Sequence, residues 1–529
     1  MSPLDSKSDS PADKAARTSS EKSESDDGLE DVPVTAIGIL PDEVYDRTMN
    51  WWRAGIRRSL GRTLAWEAKM IARMQERVRT PFLDTYFVNT SSLGTHTFFM
   101  TMLPAFCFFG YQDVTQGLLF SLSLGVYITS FIKDSVCSPR PFSPPVTRLT
   151  IGTHHLEYGF PSTHSTNSVS IALYFFTILH RLYTTPATVY SPPIAPSAPH
   201  LQNAAHIIED ILPEMRVTQT TYIVFSGILL FYVFSIVYGR LYTGMHSFTD
   251  CTVGVLIGAS IWGLHVLVGD IVDSWLKTAG WIVPATVIPS VLLMVHRHPE
   301  PVDDCPCFED AIAFMSVVMG EFLTRWYMAR YGFDDTFFVR SMPGNPFGSL
   351  SEMWTWWTIA TAKMTIGILV IFAWRIVAKF MCHHILPPTF RLLAQLFTLP
   401  HRRYYTPATD YTNVPADKGL RAFPSVLDLP GMIQVEADGM STARNNDAPH
   451  RHGVVKQRGT RYGRGHEKLE EETEVDEQVD SELGGKKGES VLHYDADVLT
   501  KVFVYCGIAI LATGVMPVVF EVIGWGLPP

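Results

Sequence analysis

Three cations (Lys133, Arg140, Arg240), two histidines (His164, His246) and one carboxylate (Asp250) lie in three short polar strings, residues 133–141 (KDSVCSPRP), 158–165 (YGFPSTHS) and 238–250 (YGRLYTGMHSFTD). Each string sits at the end of a hydrophobic run long enough to cross a bilayer, where a charged group is expensive unless it has a function. This inventory suits a phosphate monoester, which carries close to two negative charges at neutral pH. The arginines can hold it through bidentate hydrogen bonds and the lysine as a point charge. Pro139 and Pro141 flank Arg140 and should keep it in an extended loop.

His246 and Asp250 are four apart, so on a helix beginning near Met245 they share one face, one turn apart. The carboxylate can then accept the proton of one imidazole nitrogen, which fixes the tautomer and leaves the other nitrogen free to attack phosphorus. His164 is expected opposite it as general acid, protonating the departing alcohol oxygen and later taking a proton from the hydrolytic water. Ser162, Thr163 and His164 open a helix, where free N–H groups and the dipole favour an anion, so Ser162 and Thr163 join the expected phosphate-binding set. Covalent transfer to His246 splits one displacement into two. That chemistry needs no metal or other cofactor, and no carboxylate cluster is present to hold a metal.

The elements that must position these groups are membrane helices. By length alone 529 residues could make a soluble protein of several domains, but the apolar residues are clumped. Windows at 93–110, 114–132, 166–182, 219–238, 249–268, 279–295, 308–327, 356–380 and 498–527 each approach the roughly 20 residues that a spanning helix needs. The expected fold is therefore all-α, a multi-span transmembrane helical bundle of about eight or nine spans. Counting crossings puts all six chemical groups on one membrane face. A transporter or channel is disfavoured, because polar groups at one face and none at mid-depth do not resemble a transport site.

The remaining stretches give the domain plan. Residues 1–41 are polar and poor in large apolar groups, and are expected to be a disordered tail without a secretory signal. Residues 42–88 form an arm in which Trp52, Ile56, Leu60 and Leu64 recur every four residues with Arg53, Arg57, Arg58 and Arg62 between them. This reads as a helix in the membrane interface with its arginines toward lipid phosphates, or as a helix packed on the protein itself. Residues 89–270 hold the catalytic core with five spans, 271–400 further spans, 401–497 a disordered charged linker and 498–529 a last span. The formal charge of -10 resides mostly in the tails and excludes the basic surface of a nucleic-acid binder. Cys305-Pro306-Cys307 reads as a plain loop.

The strings resemble the three signatures of the phosphatidic acid phosphatase type 2 superfamily. Residues 133–141 follow K-x6-R-P, residues 161–164 resemble P-S-G-H, and residues 240–250 follow R-x5-H-x3-D. Thr163 stands where the superfamily has glycine, and Gly239 replaces the serine that usually precedes the arginine. Both changes look like the sphingosine 1-phosphate phosphatase branch, and YGFPSTHSTNS and YGRLYTGMHS are similar to the fungal long-chain-base 1-phosphate phosphatases. The resemblance implies a metal-independent lipid phosphatase acting on sphingosine, dihydrosphingosine or phytosphingosine 1-phosphate. It implies a multi-pass protein of the endoplasmic reticulum membrane with its active face toward the lumen and a membrane lipid as its partner. Position by position it gives Lys133, Arg140 and Arg240 to phosphate binding, His164 to the acid, His246 to the nucleophile and Asp250 to its support. Phosphatidate or a polyprenyl diphosphate is the alternative substrate class.

Overall fold

The computed structural model describes residues 37–91, 96–149, 157–184, 217–333, 337–414 and 493–526. Among them every regular element is helical, and the β-structure is an isolated bridge between Thr406 and Tyr494. The chain runs through α1 (Asp42–Thr48), α2 (Trp51–Val78), α3 (Pro81–Ser91), α4 (His96–Phe108), α5 (Gln112–Val136) and α6 (Thr163–Thr184). It continues through α7 (Gln219–Tyr242), α8 (Phe248–Thr278), α9 (Ile282–His296), α10 (Cys307–Tyr331) and α11 (Leu350–Ala394). It ends with α12 (Asp495–Ile510), carried by a π-helical turn (Leu511–Val515) into α13 (Met516–Val522).

Among the described residues, each of the nine apolar windows falls largely on helix, and five helical stretches are long and apolar enough to cross a bilayer: α5, α7, α8, α11 and the continuous run from α12 to α13. The two helices α6 and α10 are more polar for a physical reason. Both lie inside the bundle, where Asn167, Ser168 and Ser170 of α6 and Ser316, Glu321 and Thr324 of α10 are buried against protein rather than lipid. By contrast α7 turns Ile223, Phe225, Ile228, Leu230 and Phe231 outward. An apolar face that wide on a water-soluble surface would mark an interaction site, and on a helix long and apolar enough to cross a bilayer it suits contact with lipid.

The core joins α5, α6 and α10 through Leu118, Leu122, Val126, Ile171, Tyr174, Ala313 and Phe314, with Tyr505 of α12 closing one side. A second cluster, including Val283, Val287 and Val291 of α9 and Phe308, Ile312 and Met315 of α10, extends it. The contact that matters most for the polar strings is α6 against α8. A Cβ at Gly254 would lie 2.7 Å from the Ser162 carbonyl oxygen, and one at Gly258 would lie 2.3 Å from that of Thr166. This small-xxx-small pair lets the two backbones approach as larger residues could not.

One detail decides between two readings that the sequence left open, and two differ from the sequence reading. Arg53 and Arg57 of the arm point inward rather than to lipid, while Trp51, Trp52 and Ile56 are exposed. The cause is a helix end. Arg53 donates to the Ser135 and Asp134 carbonyls (2.5 and 2.8 Å) and Arg57 to that of Cys137 (3.3 Å), satisfying acceptors that the end of α5 leaves open. Cys305 and Cys307 are joined by a disulfide in the loop before α10. Finally, residues 401–414, at the start of the expected linker, are tied down: Arg402 donates to the His298 and Pro299 carbonyls and stacks over Phe308, and Tyr404 donates to the Val302 carbonyl. The rest of the linker, up to residue 492, and the tail to residue 36 lie outside the described residues.

Candidate active site

The ends of four helices and one loop bring the strings together. Lys133 lies in the last turn of α5, Arg240 in the last turn of α7, His164 in the first turn of α6 and Asp250 in the first turn of α8. Arg140 projects from the loop after α5. Lys133, Arg140, Arg240, His246 and Asp250 are all buried, and His164 is half-buried.

His246 is held from three sides. Its Nε2 is 3.2 Å from Arg140 Nη1, and its Nδ1 is 2.9 Å from the Gly159 carbonyl oxygen. A guanidinium only donates, so Nε2 is the acceptor and Nδ1 carries the proton. Burial foremost, then the positive charge of Arg140, pushes the imidazole down to about 4, so it is neutral at physiological pH. The ring thus presents an unprotonated nitrogen beside a cation that could share a phosphate oxygen.

The support of that ring differs from the expectation. Helix α8 starts at Phe248 with Ser247 as its N-cap, so His246 precedes the helix instead of sharing its face with Asp250. The Asp250 carboxylate closes a capping box, accepting from the Ser247 N–H at 2.8 Å, and stands 3.7 Å from His246 Nδ1. The nearer acceptor for Nδ1–H is the Gly159 carbonyl. Asp250 therefore fixes the turn that carries His246 and faces the ring as a charge at longer range.

The first turn of α6 docks on the first turn of α8. The Ser162 N–H donates to the Asp250 carbonyl (3.1 Å), its hydroxyl accepts from Ser165, and Thr163 donates to Thr129 of α5 (3.0 Å). Ser162 and Thr163 thus make contacts that place His164. On the cationic side, Arg140 Nη1 also donates to the Met245 carbonyl (3.0 Å). Arg240 is 5% exposed, and its Nε has no hydrogen-bond partner among the described residues, so a buried donor remains for an anion.

Three contributors lie outside the strings, and a fourth, Tyr158, opens the second string without having been singled out. Glu157 accepts from Lys133 Nζ at 2.7 Å, lies 3.7 Å from Arg140 Nη2, and receives the Arg140 Nε–H on its main-chain carbonyl at 2.9 Å. Its signal was its position, one residue before the second string, as an acid among cations. Glu67 of the arm accepts from the Thr249 hydroxyl (2.6 Å) and N–H (3.1 Å), capping α8. Gln75 bridges the Thr147 and Tyr242 carbonyls at 2.8 and 2.9 Å, strapping the arm across the loop and the end of α7. Tyr158 donates to Asp303 (2.8 Å), which ties the second string to the loop after α9. Among the described residues, one group with metal-ligand spacing occurs, Asp134 with Cys305 and Cys307. Its two sulfurs are bonded to each other, so they are not thiolate ligands.

A bundle whose helix ends gather two histidines, a carboxylate and buried cations defines a class, and comparison agrees. Residues 115–270 match the PAP2 superfamily. Among individual proteins, it is 31% identical over 303 residues to the dihydrosphingosine 1-phosphate phosphatase of Saccharomyces cerevisiae, covering 56% of this chain and 66% of that protein. It is 28% identical over 394 residues to a dihydrosphingosine 1-phosphate phosphatase of Schizosaccharomyces pombe, covering 73% and 81%. It is 27% identical over 255 residues to lipid phosphate phosphatase delta of Arabidopsis thaliana, covering 47% and 53%. The chain thus spans just under two thirds of the first of these relatives. No solved structure matches.

Proposed function

We propose that this protein is an integral-membrane lipid phosphatase that hydrolyses long-chain-base 1-phosphates to the free base and phosphate through a phosphohistidine intermediate. One observation carries the chemistry: His246 presents an unprotonated Nε2 3.2 Å from the Arg140 guanidinium. The substrate class is supported by the likeness to the two yeast dihydrosphingosine 1-phosphate phosphatases.

Lys133, Arg140 and Arg240 bind the phosphate oxygens. The His246 Nε2 lone pair forms a bond to phosphorus while the bond from phosphorus to the ester oxygen breaks, and His164 gives that oxygen its proton. In the second half His164 takes a proton from water, the water oxygen bonds to phosphorus, and the bond to Nε2 breaks, releasing phosphate and restoring both rings. The cations stabilise the charge that spreads over the phosphoryl oxygens, in a site from which burial excludes bulk water. On this reading the site faces the lumen of the endoplasmic reticulum and the enzyme returns long-chain bases to sphingolipid metabolism.

The test is release of phosphate by detergent-solubilised protein, with chelator present, from dihydrosphingosine 1-phosphate and from phosphatidate in parallel. Preferential release from the sphingoid substrate that disappears in His246→Ala supports the reading. Faster release from phosphatidate keeps the mechanism and replaces the substrate.

A further inference from the structure

The cationic site contains a carboxylate where none is needed to bind phosphate. Glu157 leans on Lys133 at 2.7 Å and stands 3.7 Å from the same Arg140 guanidinium that faces His246. Its root is fixed, because its main-chain carbonyl accepts the Arg140 Nε–H. Its side chain is 19% exposed, against 3% for Lys133 and 5% for Arg140, so of this trio it stands on the open side of the cluster.

The charges of the site ask for a particular substrate. Glu157 pairs with Lys133 and faces Arg140, two of the cations that the phosphate must engage. A phosphate dianion that takes both leaves the Glu157 carboxylate beside another anion in a largely buried environment, which is costly. A substrate that carries an ammonium group beside its phosphate supplies the cation that the carboxylate has lost. A long-chain-base phosphate has that ammonium on the carbon next to the one bearing the phosphate, while phosphatidate has no cation.

Resting on the proposed function, we propose that Glu157 is the specificity-determining residue that binds the 2-ammonium group of the substrate. In the empty site its carboxylate neutralises Lys133. When phosphate engages Lys133 and Arg140, the carboxylate turns from its fixed root to the ammonium beside the leaving oxygen. The exchange leaves the Glu157 carboxylate paired with a cation before and after binding. Glu157 thereby selects amino-alcohol phosphates over phosphates of neutral alcohols.

The experiment compares dihydrosphingosine 1-phosphate with its N-acetyl derivative, which keeps the skeleton and removes the positive charge, on the full-length wild type and on Glu157→Gln and Glu157→Asp. The wild type should prefer the amine in kcat/KM by at least about tenfold, a discrimination of about 1.4 kcal/mol. Glu157→Gln should abolish that preference by losing rate on the amine and holding or gaining on the amide, and Glu157→Asp should retain most of it. If Glu157→Gln changes both substrates by one common factor, Glu157 is a counter-ion or a structural residue and the proposal is overturned. If the wild type hydrolyses phosphatidate in preference to the amine, the substrate reading and this proposal fall together. A wild-type amine preference that survives in Glu157→Gln removes the role of Glu157 alone.

Discussion

Gly258→Ala should disable the enzyme through helix spacing, without touching a reacting group. The new Cβ would lie 2.3 Å from the Thr166 carbonyl oxygen and 3.1 Å from both its carbonyl carbon and Val169 Cβ. Contacts below 3.0 Å do not persist, and the obstacle is backbone, so α8 must retreat from α6 by at least 0.7 Å. Overpacking of this kind costs about 1–3 kcal/mol. The larger effect is on geometry: α6 carries His164, and the start of α8 carries Asp250 and the turn holding His246. A displacement near 1 Å between reacting groups can lower the rate by roughly 10²-fold. Gly263→Ala on the same helix is the control, since nothing lies within 4 Å of its Cβ, and alanine there should improve helix stability by up to about 1 kcal/mol. Phosphate release and thermal unfolding in detergent would be measured on both. A Gly258→Ala enzyme with wild-type kcat would refute the claim that this close approach sets the site.

Three further outcomes follow from the same contacts. Glu67→Gln weakens the cap on Thr249 and should lower stability by about 0.5–2 kcal/mol, with a fall in kcat because Asp250 sits in the same turn; an unchanged melting temperature and rate contradict the capping role of Glu67. The His246 pKa lies below its ordinary value, at about 4, so the ring stays neutral as pH falls through 6.5. The acid limb of kcat/KM should then follow the second ionisation of the substrate phosphate, near 6, and move with substrates of different phosphate pKa; a limb fixed at 6.5 for every substrate argues against this. His493 is the opposite case, raised to about 9 between Asp304 and Glu309 despite burial. Its stabilising contribution is complete below 6.5 and lost as pH rises through 9, so His493→Gln should flatten the fall of melting temperature over that range.

The polar strings were legible because charge in an apolar context is rare, and their parity put them on one membrane face before any geometry was known. The helical windows were legible because their apolar residues are clumped, although α11 runs well past its window, through Pro387 and Pro388, which ordinarily stop a helix. What periodicity could not show is how side chains far apart in sequence meet. Arg53 and Arg57 lie 80 or more residues from the helix end they satisfy, and Glu67 lies 182 residues from Thr249. The i, i+4 spacing of His246 and Asp250 suggested a shared helix face, but Ser247 is the stronger N-cap and starts the helix after the histidine. The spacing of Gly254 and Gly258 was readable, but its meaning required knowing that α6 is the neighbour.

The most direct test of the account is to trap the intermediate. Protein incubated briefly with substrate labelled in its phosphate, then quenched with alkali, should retain label that is stable to base, labile to acid, located on His246 and missing from His246→Ala. The half-reaction scheme predicts more retained label in a variant whose second step is slowed, such as His164→Ala given a substrate with a good leaving group. Full turnover by the wild type with no label on His246 under either condition would contradict it, and would assign the attack on phosphorus to water.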